Sequence, residues 1–191
     1  MVIFVIGANY TGKSYFISRT FSGGQYALLN VYDYQKRLAE ERRRRQGRYA
    51  SFPELYQETH QANRLLKEDI VALVRQGRDV VAEQTFFRAL RRIPYLDAIR
   101  AVSDTPVEVY VMQPTEEELL RNCRQRNPDS AEGACRSILR EIRDIFEFPN
   151  PAEGFSRIFT VTEGRVAERL DPPDFEAVER AREELRWEQR E

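Results

Sequence analysis

The chain predicts an α/β fold in which helices cover both faces of a parallel sheet, and three observations carry that prediction. Strand-like apolar runs alternate with helix-compatible segments from one end of the chain to the other. The stretch "GANYTGKS", Gly7 to Ser14, follows the first apolar run and opens a helical segment. Its G-x-x-x-x-G-K-S spacing is that of a phosphate-binding loop set between a strand and a helix. Finally, 41% hydrophobic and 32% charged residues in 191 suit one globular domain with a real core, expected to span residues 1–191.

The first strand is expected at Val2–Ile6. A buried strand that ends in a tight glycine turn points backbone N–H groups into one concavity, which holds phosphate oxygens. The helix that follows, "KSYFISRTF", adds its positive N-terminal end. Gly7 and Gly12 permit close backbone approach. Lys13 supplies a point charge for the β- and γ-phosphates of ATP, and the Ser14 hydroxyl can ligate Mg²⁺. Asn9, Thr11 and Tyr15 complete the expected nucleotide-binding stretch.

A second strand, Tyr26–Val31, leads into "LNVYDYQKR". Asp33 then stands at the carboxyl edge of the sheet, where open α/β folds place their ligands. A carboxylate there can take a proton from an attacking hydroxyl, or it can serve as a turn or helix-cap aspartate. Phe52–Gln76 reads as one long helix. Ser51 and Glu54 form a capping box, Leu55, Ala62, Leu66, Ile70 and Leu73 recur at helical spacing, and Gly77 ends it.

The third strand, Asp79–Ala82, delivers Glu83 at its tip. A carboxylate ending a buried strand is costly to desolvate, which suits a second Mg²⁺ contact made through water. Thr85 reads as a hydrogen-bonding partner or as the N-cap of a helix at Arg88. After a fourth strand at Val107–Met112, "PTEEELLRNCRQR" starts a helix with Thr115 and Glu118 as its box. Arg121, Arg124, Arg126 and Arg136 flank a break at Asn127–Gly133. Such a helical hairpin can close over a nucleotide and bring a guanidinium to the γ-phosphate, the alternative being a solvated face. A fifth strand, Arg157–Val161, precedes a closing helix in "PPDFEAVERAREELRWEQR".

Composition excludes several classes. Lys plus Arg total 30 against 31 Asp plus Glu, so any polyanion site must be a local patch. The N-terminal apolar run is too short to span a membrane and lacks the features of a signal peptide. Cys123, Cys135 and the single His60 give neither a disulfide framework nor zinc spacing. A reduced, cytoplasmic protein without a membrane partner is expected. One such patch is "ERRRRQGRY", Arg42–Arg45 and Arg48, and Arg88, Arg91 and Arg92 lie beside Phe86 and Phe87. Basic residues next to aromatics suit a single nucleic-acid strand, or a solvated face balanced by Glu40 and Glu41.

"GANYTGKS", "NVYDYQKR", "VVAEQTFFRALRR", "RNCRQRN" and "IRDIFEFPNPAEGF" occur in the order seen in polynucleotide 5′-hydroxyl kinases, which the chain resembles over roughly residues 1–162. The F-E-x-P-x-x-x-E-G-F segment, Phe146 to Phe155, is the narrowest of these motifs. The resemblance implies an adenylate-kinase-like P-loop kinase with three αβα layers. It further implies a five-stranded parallel sheet of order 2-3-1-4-5 and a helical lid at about residues 121–137. It also implies Asp33 as general base, Lys13 and Ser14 on phosphate and Mg²⁺, and a lid arginine from the cluster Arg121–Arg126, for which Arg124 and Arg126 are the candidates. Arg37, Thr85 and Arg88 are expected on the acceptor side. The chain departs from the family in three places. Glu83-Gln84-Thr85-Phe86 replaces the usual Asp-x-Thr-Asn, Asn9-Tyr10 replaces Pro-Gly, and the lid lacks a second arginine three residues after "RN". The expected activity is transfer of the ATP γ-phosphate to a hydroxyl of DNA or RNA, at the 5′-OH end or on a hydroxymethylated base. The alternatives are a small-molecule kinase acting on a nucleoside, sugar or antibiotic hydroxyl, and a nucleotide-binding regulatory module without transfer.

Overall fold

A computed structural model describes residues 1–188. Its strands are β1 (Val2–Ile6), β2 (Tyr26–Asn30), β3 (Asp79–Gln84), β4 (Val107–Met112), β5 (Arg157–Thr162) and β6 (Arg165–Glu168). Its helices are α1 (Lys13–Thr20), α2 (Val31–Gln46), α3 (Phe52–Arg75), α4 (Ala89–Arg100), α5 (Glu116–Arg126), α6 (Ala131–Ile145) and α7 (Phe175–Glu188). The last two residues of the expected closing helix lie outside the described residues.

The sheet order is β2-β3-β1-β4-β5-β6. The first five strands are parallel, in the expected 2-3-1-4-5 order, and β6 adds an antiparallel edge. The sheet is therefore six-stranded and mixed rather than five-stranded and parallel. Two positive-φ residues, Glu163 and Gly164, make the tight turn into β6. Such a turn matches the twist of the strands it joins, and glycine adopts it without steric cost.

Strand β1 is central, and all five of its residues are buried. Because strand side chains alternate, Val2, Phe4 and Ile6 enter the core under α3 and α4, while Ile3 and Val5 meet Phe16, Ile17 and Phe21 of the α1 side. Each fully buried side chain of this size contributes roughly 1.5–3 kcal/mol. Helix α7 packs on the outer side of α4, through Val178 and Ala181 against Ala89, Leu90 and Ile93. Helices α5 and α6 enclose a small core of their own that includes Ala8 of the phosphate loop. Among the described residues no helix is long and apolar enough to cross a membrane.

Two boundaries matter for the site. The Asn30 side chain accepts the Tyr32 N–H and caps α2, so Val31 begins the helix instead of ending β2. Strand β3 runs two residues further than its apolar run, which puts Glu83 inside the strand, in register with Asn30 and Val5.

Candidate active site

The phosphate loop turns between β1 and α1 at the carboxyl edge of the sheet. At Gly7 φ is +146°, and a Cβ there would lie 3.0 Å from the Met112 Cβ, so the end of β4 closes on the loop. Thr11 Oγ1 donates to the Ala8 carbonyl at 2.8 Å and shapes the turn. Tyr10 takes a left-handed backbone, φ 63°. That conformation costs on the order of 1–3 kcal/mol in a non-glycine residue. Asn122 of α5 donates to the Tyr10 carbonyl at 2.8 Å, and the Tyr10 ring packs into the α5–α6 core. The cost of this conformation is thus offset by a latch between the loop and α5.

Lys13 is buried, and its Nζ donates to the carbonyls of Gly7 at 2.9 Å and Ala8 at 2.7 Å. Burial pushes its ammonium down to about 8, opposed by the Glu83 carboxylate and reinforced by the Arg126 charge. Ser14 Oγ donates to Glu83 Oε1 at 2.9 Å, and Asn30 Nδ2 donates to Glu83 Oε2 at 3.0 Å. Both carboxylate oxygens are therefore satisfied, which is how β3 carries a buried acid. Nothing in the sequence marked Asn30 for this part, because its partner lies 53 residues away.

The loop and α5 border a cleft of about 1550 Å³ lined by residues 9–16, Tyr32, Glu83, Met112 and the inner face of α5. Ordinary small-ligand pockets occupy roughly 300–1,000 Å³. The far wall of the cleft is the β5–β6 turn, where the Glu163 N–H donates to Glu118 at 3.3 Å. Thr115 accepts the Glu118 N–H as expected, but the Glu118 carboxylate holds this turn instead of closing a capping box. Tyr15 and Arg19 form one edge, joined by a 2.7 Å hydrogen bond from Arg19 Nη1 to Tyr15 Oη. At the opposite edge Tyr32 Oη donates to Asn9 Oδ1.

The expected residues divide. Of the lid arginines, Arg121 and Arg126 line the cleft, whereas Arg124 lines a separate groove beside Pro128–Gly133. Arg124 and Arg126 sit about 200° apart around a helix of 3.6 residues per turn, so only one of them faces inward. Asp33 is exposed in the first turn of α2, next to the cleft-lining Tyr32 but not itself part of the lining, and makes no hydrogen bond or ion pair among the described residues. Arg37 stands one turn further on the same face, its guanidinium 5.1 Å from the Tyr34 ring. Thr85 is held by Gln84, whose Oε1 accepts the Thr85 N–H at 2.8 Å, so Thr85 is not the cap of α4. Glu147 caps that helix, accepting the Ala89 N–H at 2.8 Å. Arg88 is engaged by Glu147 and Glu184, away from the cleft lining, and braces α4 against α7. The Arg88 guanidinium thus meets two carboxylates from distant segments.

A family model described as an AAA domain matches residues 2–149. No curated protein matches the chain. Among solved structures it is similar to a candidate kinase of Chloroflexus aurantiacus, with TM-score 0.64 and 18% identity over 97% of this chain and 95% of that one. It is also similar to a sugar kinase of Janibacter sp. HTCC2649, with TM-score 0.54 and 15% identity over 94% and 91% of the two chains. A third neighbour is a chain of the Pnkp1/Rnl/Hen1 RNA repair complex, with TM-score 0.51 and 18% identity over 77% of this chain and 46% of that one. At such identities the likeness establishes the P-loop kinase fold.

Proposed function

The chain belongs to this AAA domain family and has the P-loop kinase fold, and from that premise we propose that it transfers the γ-phosphate of ATP to a hydroxyl of a nucleic acid. The observation that carries the proposal is the Ser14–Glu83–Asn30 chain beside buried Lys13, in a cleft roofed by Arg121 and Arg126. These are the parts that phosphoryl transfer needs: a cradle, a cation on the β- and γ-phosphates, and positive charge over the transferring group.

Ser14 Oγ and the Glu83 carboxylate are hard oxygen donors of the kind Mg²⁺ takes, and they adjoin the phosphate loop. Mg²⁺, when bound, neutralises charge on the β- and γ-phosphates. Lys13 exchanges its two loop carbonyls for phosphate oxygens, which favour the charged ammonium. Arg126 lies near enough to Lys13 to lower its pKa, a position suited to the γ-phosphate. Asp33 takes the proton of the attacking hydroxyl as its oxygen bonds to the γ-phosphorus and the bond from that phosphorus to the β,γ-bridging oxygen breaks, releasing ADP. Arg37, a turn away, meets the phosphate that follows a 5′-terminal nucleoside, a group that a free sugar or nucleoside lacks.

The test incubates the protein with γ-labelled ATP, Mg²⁺ and a panel of 5′-OH DNA, 5′-OH RNA, nucleosides and sugars. Label on the oligonucleotides, absent in Lys13→Ala, supports the proposal. Label on nucleosides or sugars alone assigns a small-molecule acceptor and refutes it.

A further inference from the structure

Helices α2 and α3 form an arm whose end belongs to no core. No side chain between residues 35 and 61 is buried, and the first buried residue of α3 is Ala62. Ion pairs hold the arm together. Arg42 Nε donates to Glu58 at 2.5 Å, and Arg48 makes paired hydrogen bonds to Glu54 at 2.7 and 2.8 Å. The end it supports is aromatic and open to solvent. Tyr49 is 80% exposed, Phe52 83% and Tyr56 61%. The Arg43 guanidinium lies 5.0 Å from the Tyr49 ring, and His60 meets Tyr56 edge-on at 4.3 Å. Large apolar side chains clustered at an exposed tip mark an interaction site more often than chance exposure.

The charge on the arm says what fits it. Between Lys36 and His60 seven basic side chains face four acidic ones, in a chain whose net charge is −1. The helical period then orders the uncommitted arginines. At 3.6 residues per turn Asp33, Arg37 and Arg44 fall within about 40° of one another, while Arg42 points the opposite way, toward α3. All three are exposed, as is Glu40 on the same face, so beyond the proposed base the stripe carries two arginines and one carboxylate. A stripe thus runs from the proposed base to the aromatic tip, and a rise of 1.5 Å per residue makes it about 16 Å long from Asp33 to Arg44.

Resting on the acceptor reading above, we propose that the arm tip docks the body of a single-stranded nucleic acid whose hydroxyl end lies in the cleft. Arg37 and Arg44 contact its phosphates, and Tyr49, Phe52 and Tyr56 stack its bases. At about 3.4 Å per nucleotide, a stacked strand needs some five nucleotides to reach from Asp33 to the tip. Short acceptors would therefore be phosphorylated without using the tip.

The test measures binding of a fluorescein-labelled 12-nucleotide 5′-OH oligonucleotide by anisotropy, without ATP, together with transfer to a 5′-OH dinucleotide. The variants are Tyr49→Ala/Phe52→Ala/Tyr56→Ala and Arg44→Gln, all at exposed positions, with folding checked by circular dichroism. The aromatic variant should bind the 12-mer at least ~10-fold more weakly, the effect of losing about one stacked base. Dinucleotide kcat/KM should stay unchanged. Arg44→Gln should flatten the slope of log affinity against log salt by about 0.7. Wild-type affinity in the aromatic variant overturns the docking surface, whatever the transfer assay shows. Binding of phosphatidylserine vesicles with no binding of the 12-mer overturns it in favour of a membrane. Tip-dependent binding of the 12-mer with no transfer to any nucleic-acid hydroxyl supports the surface and refutes the acceptor reading alone.

Discussion

Replacing Glu153 by Gln should destabilise the protein more than a polar-to-polar exchange usually does. Arg92 and Glu153 are each 1% exposed, and they meet through two hydrogen bonds, Nε to Oε2 at 2.7 Å and Nη2 to Oε1 at 2.6 Å. Arg92 Nη1 also donates to the carbonyls of Phe86 and Glu147, both at 2.9 Å. Phe86 has φ 44°, so this guanidinium fixes a strained turn directly after β3. Neutralising Glu153 leaves the Arg92 charge buried beside an amide, and breaking a buried pair in this way costs about 3–5 kcal/mol. For a chain of this size each kcal/mol lowers Tm by roughly 2–4 °C, so Tm should fall by roughly 6–20 °C. The double variant Arg92→Met/Glu153→Leu should recover part of the loss. Full recovery is not expected, because the Phe86 and Glu147 carbonyls lose their donor, at about 1–3 kcal/mol for each unsatisfied group. Thermal unfolding followed by circular dichroism measures both. A Tm for Glu153→Gln equal to that of the wild type would refute the reasoning and make the pair energetically neutral.

The Lys13 ammonium, lowered to about 8 from 10.5, makes two behaviours pH-dependent. The unfolded chain holds the proton up to higher pH than the folded one, so stability of the unliganded protein should rise between pH 8 and 10.5. ATP affinity should fall over the same range, with proton uptake at pH 9 seen by calorimetry in two buffers; binding without uptake contradicts this. Asp33→Asn should lower kcat by roughly 10²–10⁴-fold with ATP affinity unchanged, in steady-state assays with an oligonucleotide acceptor. Arg126→Ala should lower kcat by roughly 10³-fold, as loss of an arginine over the γ-phosphate does, whereas Arg124→Ala should leave it near wild type. Equal losses in the two variants would mean that the lid rotates on closing.

Much of this architecture was legible because local signals were strong. The apolar run of β1 before a glycine loop, and the Ser51–Glu54 box with its helical apolar spacing in α3, left little choice. Strand β6 escaped because all four of its residues are exposed and give no apolar alternation, although the Glu163-Gly164 turn was a readable hairpin signal. Glu83 was expected at a strand tip because apolar residues stop at Ala82. The ladder continues because Asn30 and Ser14 satisfy its carboxylate. The lid arginines could not be separated without the phase of α5 relative to the loop. The Arg88 ion pairs were hidden for a related reason: its partners lie 59 and 96 residues away. The F-E-x-P-x-x-x-E-G-F segment was recognisable as a motif, but its work appears only in three dimensions. Glu147 caps α4, and Glu153 holds the arginine that fixes the turn after β3.

The central claim is that a nucleic-acid hydroxyl receives the γ-phosphate, and the most direct measurement locates the label. A 5′-OH oligonucleotide and the same oligonucleotide carrying a 5′-phosphate are each incubated with γ-labelled ATP and Mg²⁺, then digested to nucleoside monophosphates. The account predicts label as the nucleoside 5′-monophosphate of the first residue, and none from the oligonucleotide blocked at its 5′ end. Label that persists on the blocked oligonucleotide would place the acceptor elsewhere on the strand. No label on either, with label on a sugar or nucleoside under the same conditions, would contradict the claim.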